Sequence, residues 1–94
     1  MSPLTARERS FLKARAHPLE PIVTVGHDGL TEAVLNEIDR ALTAHELIKV
    51  RVNAADRTAR RAMFEEIGAR TDAEAVQQVG KVLVLWRPRP LDAA

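Results

Sequence analysis

Ile22-Val23-Thr24-Val25-Gly26-His27-Asp28-Gly29-Leu30-Thr31 decides how this chain is read. A short β-branched run stops at a Gly-x-x-Gly turn. Beyond the turn Leu30, Val34, Ile38, Ala41, Leu42 and His45 recur at helical spacing, while Glu32, Asn36, Asp39, Arg40 and Thr43 fall on the other side. The stretch therefore predicts a strand, a tight turn and an amphipathic helix starting near Thr31, the first part of a βαβ unit. The nearly continuous apolarity of residues 22–25 is the pattern of an interior strand covered on both faces or buried in a parallel sheet. Asp28, placed just before the helix, is the expected N-terminal cap.

Downstream, Leu47-Ile48-Lys49-Val50-Arg51-Val52 alternates as a strand, with Ile48, Val50 and Val52 on one face and Lys49 and Arg51 on the other. A third helix begins around residues 53–56, buries Ala59, Ala62, Met63 and Ile67, and is expected to end at Gly68 in a left-handed cap. Its outward Arg57, Arg61 and Glu65, four residues apart, have the spacing of a solvated helix face. Residues 70–74 read as a loop. Two strand-like runs, 75–79 and 82–86, flank Gly80-Lys81, which suits a type II′ hairpin. Pro88 and Pro90 end the sheet, and residues 91–94 form a tail.

Upstream, Thr5-Ala6-Arg7-Glu8 is a capping box opening a helix that Pro18 stops. Phe11, Leu12 and Ala16 share its broad apolar face, and Arg9 and Lys13 form a stripe at the edge. His17-Pro18-Leu19-Glu20-Pro21 is an irregular connector, because each proline holds its predecessor extended. The order is α-β-α-β-α-β-β: an α/β (α+β two-layer) fold with a four-stranded mixed sheet. The first three strands are parallel, and right-handed crossovers place helices two and three on one face. One domain spans residues 1–94, with its core at about 5–88.

Composition narrows the function. No cysteine is present, which excludes disulfides, thiol catalysis and thiolate zinc sites. No window approaches the roughly 20 apolar residues of a membrane span, and no apolar signal-peptide core opens the chain, so a cytoplasmic protein is expected. The net charge of +1 decides nothing, but its distribution is segregated. Residues 26–46 carry Asp28, Glu32, Glu37, Asp39 and Glu46 against Arg40, while residues 47–61 carry Lys49, Arg51, Arg57, Arg60 and Arg61 against Asp56. All but Lys13, Lys49 and Lys81 of the 14 basic residues are arginine, whose planar fork suits phosphate.

Catalytic chemistry finds no foothold. His17, His27 and His45 fall in a connector, a turn and a helix end, with no metal-ligand spacing among them. Gly-His-Asp-Gly-Leu-Thr lacks the Walker lysine and the third glycine of a dinucleotide fingerprint. His45-Glu46 as an acid–base pair is less economical than His45 closing a helix C-terminus. Neither an enzyme, a cofactor nor a small-molecule substrate is expected. What the turn does offer is free backbone N–H groups at a helix start, where an anion is favoured, and KH domains clamp nucleotides with such a loop.

Several blocks together carry a family likeness: Lys13-Ala14, Ala16-His17-Pro18-Leu19, Gly26-His27-Asp28-Gly29-Leu30-Thr31, His45-Glu46-Leu47-Ile48-Lys49-Val50, and Val79-Gly80-Lys81 leading to Leu83-Val84-Leu85-Trp86-Arg87-Pro88. In this order, over residues 13–88, they resemble the bacterial YhbY proteins, the stand-alone form of the CRM (CRS1-YhbY) RNA-binding domain. The resemblance implies a fold similar to the C-terminal domain of translation initiation factor three. It also implies a non-catalytic role on rRNA of the precursor large (50S) ribosomal subunit. By position, the RNA-binding surface would be Gly26, His27, Asp28 and Gly29 with Arg9, Lys13 and Arg15 of the first helix, joined by Lys49 and Arg51. Two departures stand out: His27-Asp28 occupies the turn where plant-type members often carry lysine, and Trp86 replaces a usual tyrosine. The alternative is a protein-interaction module, docking through the acidic side of helix two or the open sheet face, in which the glycine turn is only structural.

Overall fold

A computed structural model describes residues 4–54 and 56–88 of the chain. The expected element order is observed: α1 (Ala6–Ala16), β1 (Pro21–Val25), α2 (Glu32–His45), β2 (Leu47–Val52), α3 (Arg57–Thr71), β3 (Glu74–Val79) and β4 (Val82–Trp86). The ends of the predicted domain, Pro90 and the tail at 91–94 lie outside the described residues.

The sheet runs β1-β2-β4-β3. β1 pairs parallel with β2, β2 antiparallel with β4, and β3 antiparallel with β4, so β1, β2 and β3 share one direction. The β3–β4 hairpin folds back so that β4 fills the gap between β2 and β3. Gly80 takes φ 57 at the first turn position, and Lys81 does not share the positive φ, as a type II′ turn requires.

α2 and α3 cover one face. Ile38 and Leu42 from α2 and Phe64 and Ile67 from α3 pack on Val23, Val25, Ile48, Val50, Val52, Leu83 and Leu85. α1 lies on the opposite face, where Leu12 and Ala16 pack on Leu47, Val76 and Val84 with Leu4 and Trp86 alongside. The interior strands β4 and β2 bury residues on both sides: Leu83 and Leu85 face one layer and Val84 the other, and Ile48, Val50 and Val52 face the first while Leu47 faces the second. Residues 22–25 do not form the doubly covered strand expected of them. β1 is an edge strand with only Val23 and Val25 buried, and Ile22 is 48% exposed because α1 stops short of it.

Capping differs from expectation at two helices. Thr31, not Asp28, caps α2: its Oγ1 accepts from the N–H of Val34 at 3.1 Å, and Asp28 stays exposed in the turn. Thr31 wins because it is the residue in extended geometry immediately before the helix. α3 does not stop at Gly68 but runs to Thr71, ending at Asp72 in the left-handed region (φ 56). Gly68 instead serves the cap as acceptor, its carbonyl taking the N–H groups of Asp72 and Ala73. The loop read at residues 70–74 thus shrinks to Asp72 and Ala73.

The α1 capping box forms as expected, Thr5 N–H donating to Glu8 Oε1 at 2.8 Å and Glu8 N–H to Thr5 Oγ1 at 3.0 Å. Phe11 departs from the apolar face assigned to it. It is 61% exposed, because Leu12 and Ala16 alone reach the sheet. In α3 the buried positions are Phe64, Ile67 and Thr71, while Ala62 faces solvent.

Candidate nucleic-acid interface

The Gly-x-x-Gly turn sits at the C-terminal end of β1. Gly29 N–H donates to Gly26 O at 3.1 Å, closing the turn, and Asn53 N–H from the end of β2 donates to Val25 O at 3.0 Å. The carboxyl ends of two parallel strands and the start of α2 therefore meet there, the place where open α/β sheets bind ligands. The two glycines differ in what they do for the fold. Gly29 adopts φ +73, which side chains rarely take, whereas Gly26 lacks a positive φ and a Cβ on it would meet nothing within 4 Å. Gly26 is bare backbone on an exposed corner without a packing reason to be so.

This asymmetry makes a prediction. Gly29→Ala costs about 1–2 kcal/mol in urea unfolding through backbone strain, with no clash because the nearest atom, Met63 Cε, lies at 3.8 Å. Gly26→Ala leaves the unfolding curve in place. Equal losses at both positions would mean that the turn is a purely structural feature.

The cations expected around the turn separate into two groups. Arg9 uses its Nη1 to donate to Ala75 O at 2.6 Å and Val76 O at 2.9 Å, where the β3–β4 register shifts between Ala75 and Gln77. It clamps carbonyls that the bulge frees from the ladder. Lys49 is half-buried, and its Nζ donates to Leu19 O at 2.9 Å and His17 O at 3.3 Å, tying the end of α1 and its connector to the sheet. One of the three Nζ protons remains for another acceptor. Both residues act first as braces between α1 and the strands.

Lys13, Arg15 and Arg51 are exposed. Lys13 and Arg51 line one groove of about 530 Å³ on the α1 side of the sheet, with His17, Gln77 and Val79 among its other walls. Arg51 pairs in register with Thr24 of β1, and Val52 with Val25. The groove's cationic rim thus ends one residue short of the position where β1 enters Gly26. Its Nε donates to Asn53 Oδ1 at 3.3 Å, which orients it along the strand end. Arg15 lies apart from that rim. Its guanidinium stands 5.8 Å from the Phe11 ring centroid, and it borders a separate shallow cavity with Leu19, Glu20, Ile22 and His45.

Two of the acids of α2 are paired with arginines. Glu32 Oε2 accepts from Arg70 Nη2 at 2.8 Å and Asp39 Oδ1 from Arg87 Nη1 at 2.7 Å. Among the described residues, no group of three or more His, Cys, Asp or Glu is arranged to hold a metal, and no helix is long and apolar enough to cross a membrane.

Sequence reasoning passed over one feature of the cationic surface. Arg57 and Arg61, read as an ordinary helix exterior, converge with Arg60, Gln78 and Gly80 on a cleft between α3 and the hairpin. Their spacing in α3 was visible, but the hairpin that closes the cleft comes from residues far along the chain.

Comparison with known proteins agrees with this architecture. A Haemophilus influenzae protein named an RNA-binding protein is 48% identical over 88 residues, covering 94% of this chain and 89% of its own. A Pseudomonas aeruginosa protein is 41% identical over 87 residues, covering 93% and 84%. The solution structure of a Staphylococcus aureus protein superposes with a TM-score of 0.82 at 30% identity, covering 95% of this chain and 93% of that one. The CRS1 / YhbY (CRM) domain model matches residues 4–87. With the fold, the blocks of sequence and the relatives in accord over nearly its whole length, the chain belongs to the CRS1/YhbY (CRM) domain family.

Proposed function

We propose that this protein is a non-catalytic RNA-binding protein that works in the cytoplasm on rRNA of the precursor large ribosomal subunit. The observation that carries the reading is the juxtaposition of bare backbone at Gly26 with the Lys13–Arg51 groove, whose rim ends beside the turn. RNA backbone laid along the groove meets Lys13 and Arg51 as phosphate partners. It then reaches the turn, where no side chain at Gly26 stands in the way. His27 and Asp28 are the turn's exposed side chains; Asp28, freed from capping, is placed to accept from a ribose hydroxyl or base edge while glycine backbone takes the phosphate. Arg15 extends the surface along α1. Arg9 and Lys49 contribute from the braced positions their hydrogen bonds impose. The name of the Haemophilus influenzae relative supports RNA as the ligand.

Two measurements test this. Binding to structured large-subunit rRNA fragments should weaken steeply with salt, by about 0.7–0.9 in log K per log unit of salt for each phosphate contact. In a fractionated lysate the protein should sediment with precursor large-subunit particles. Binding indifferent to salt, or absent, would discard the RNA reading; salt-sensitive binding without co-sedimentation would discard only the ribosomal assignment. A second reading, docking of a protein on the open sheet face, is favoured by Ile22 and Val79, exposed there at 48% and 56%. It predicts a partner lost on Ile22→Asp with RNA affinity unchanged.

A further inference from the structure

We infer that the cleft between α3 and the β3–β4 hairpin is a second phosphodiester-binding site, which takes the backbone of the same RNA beyond the Gly-x-x-Gly turn. The inference rests on the RNA reading above and adds a surface on the opposite side of the sheet from the Lys13–Arg51 groove. The cleft, about 380 Å³, is lined by Arg57, Arg60 and Arg61 from α3 and by Gln78 and Gly80 from the hairpin, with Phe64 also bordering it. Phe64 is buried and belongs to the core beneath, so the cleft has a fixed apolar base and a cationic rim.

The charge in this cleft is uncompensated. The three ion pairs among the described residues engage Arg70 and Arg87, and no cleft arginine takes part. Asp56, the nearest acid in sequence, spends its carboxylate on capping α3, Oδ1 accepting from Thr58 N–H at 3.3 Å. Glu65, one turn beyond Arg61, forms no ion pair with it. Arg60 is aimed by donating from Nη1 to Ala54 O at 3.3 Å, which fixes its stem against the β2–α3 connection. The side chains of Arg57 and Arg61 have no hydrogen-bonding partner among the described residues, and both are exposed. Guanidinium groups donate only and keep their charge, so three of them lining one cleft suit an anion with several acceptor oxygens. A phosphodiester supplies these, and the planar fork binds it bidentately.

Position identifies the source of the phosphate. α3 stands between the cleft and the turn: Met63, one turn past Arg60 on the same helix, is the residue nearest to the missing side chain of Gly29. The turn and the cleft therefore border the same helix, with Arg57 and Arg61 within two turns of Met63 along it. An acidic protein segment would satisfy the same donors, but nothing would connect it to the turn.

The test uses the full chain and a short stem-loop RNA from large-subunit rRNA. In the nitrogen-15 amide spectrum, RNA should shift the signals of Arg57, Arg61 and Gly80 together with those of residues 26–29. Arg57→Gln combined with Arg61→Gln should weaken binding roughly tenfold or more and make the log–log salt slope shallower by about 1.4–1.8, for two phosphate contacts. Its thermal midpoint should stay at the wild-type value. Wild-type affinity and slope in the double variant, with salt-sensitive binding by the wild type, would overturn the cleft and leave the RNA reading standing. A wild type that binds no RNA would overturn both. Shifts at the cleft with polyglutamate but none with RNA would overturn the assignment in favour of an acidic protein.

Discussion

Arg87→Met is expected to lower the free energy of unfolding by about 2–4 kcal/mol, the largest loss for any single surface-proximal side chain in this fold. Arg87 follows the last strand, and its guanidinium reaches three separate places. Nη1 donates to Asp39 Oδ1 at 2.7 Å and to Thr71 O at 2.8 Å, and Nη2 donates to Asp39 O at 3.0 Å and Thr43 Oγ1 at 2.9 Å. Thr71 O belongs to the last residue of α3, one of the carbonyls a helix end leaves without an internal partner. One side chain thus ties α2, the C-terminus of α3 and the exit of β4 together.

The magnitude follows from burial. The Arg87 side chain is only 19% exposed, but Asp39 is 57% exposed, so water recovers part of what the carboxylate loses. The charge pair alone is worth little; the cost comes from leaving Thr71 O and the helix junction unpartnered. Methionine keeps the apolar stem and removes only the donors. Arg87→Lys should recover less than half of the loss, because a single ammonium cannot span the same set of acceptors. Urea unfolding of the three proteins decides it. A loss below about 0.5 kcal/mol for Arg87→Met would show that the network is replaced by solvent at no cost.

Lys13→Glu combined with Arg51→Glu is expected to weaken binding to large-subunit rRNA fragments by about 100-fold near physiological salt, and to reduce the salt slope by about two contacts. Each change removes a phosphate partner and puts a like charge against the polyanion. Both side chains are exposed, and among the described residues the one side-chain hydrogen bond that ties either of them to the fold is the 3.3 Å contact of Arg51 with Asn53, so stability should move little. Lys49→Gln supplies the contrast. Because Nζ holds the carbonyls of His17 and Leu19, its loss should loosen the docking of α1 and lower stability more than affinity. Fluorescence anisotropy across a salt series, with thermal melts alongside, separates the two. Unchanged affinity in the charge-reversed protein would remove the groove from the interface.

Much of the architecture was legible in the residues themselves. Local periodicity set all seven elements, the capping box of α1, the glycine of the β3–β4 turn and the alternation of β2, because each depends on neighbours within a turn or two of chain. The sharing of one face by α2 and α3 followed from crossover handedness. Strand position did not follow: the runs in β1 and β4 are both β-branched or aliphatic, yet β1 stands at the edge and β4 inside, since only hairpin closure decides which enters the gap. Asp28 was the expected cap of α2, but the turn keeps it away from the helix start and the backbone's path gives the cap to Thr31.

The Gly-x-x-Gly turn shows the same division. Its presence was plain in the sequence, but only the dihedral angles and the space around each glycine separate Gly29, which the backbone needs, from Gly26, which it does not. Long cationic side chains were the least legible. Arg9, Lys13, Lys49 and Arg87 look alike as isolated charges, and the sequence by itself could fix only their element and parity. Tertiary structure decided that Arg9, Lys49 and Arg87 all turn inward to backbone carbonyls 30 or more residues away, while Lys13 and Arg51 stay exposed along one groove. The physical reason is reach: a side chain several bonds long bonds to whatever acceptor packing brings near its tip, and that acceptor is chosen by the fold rather than by sequence neighbours.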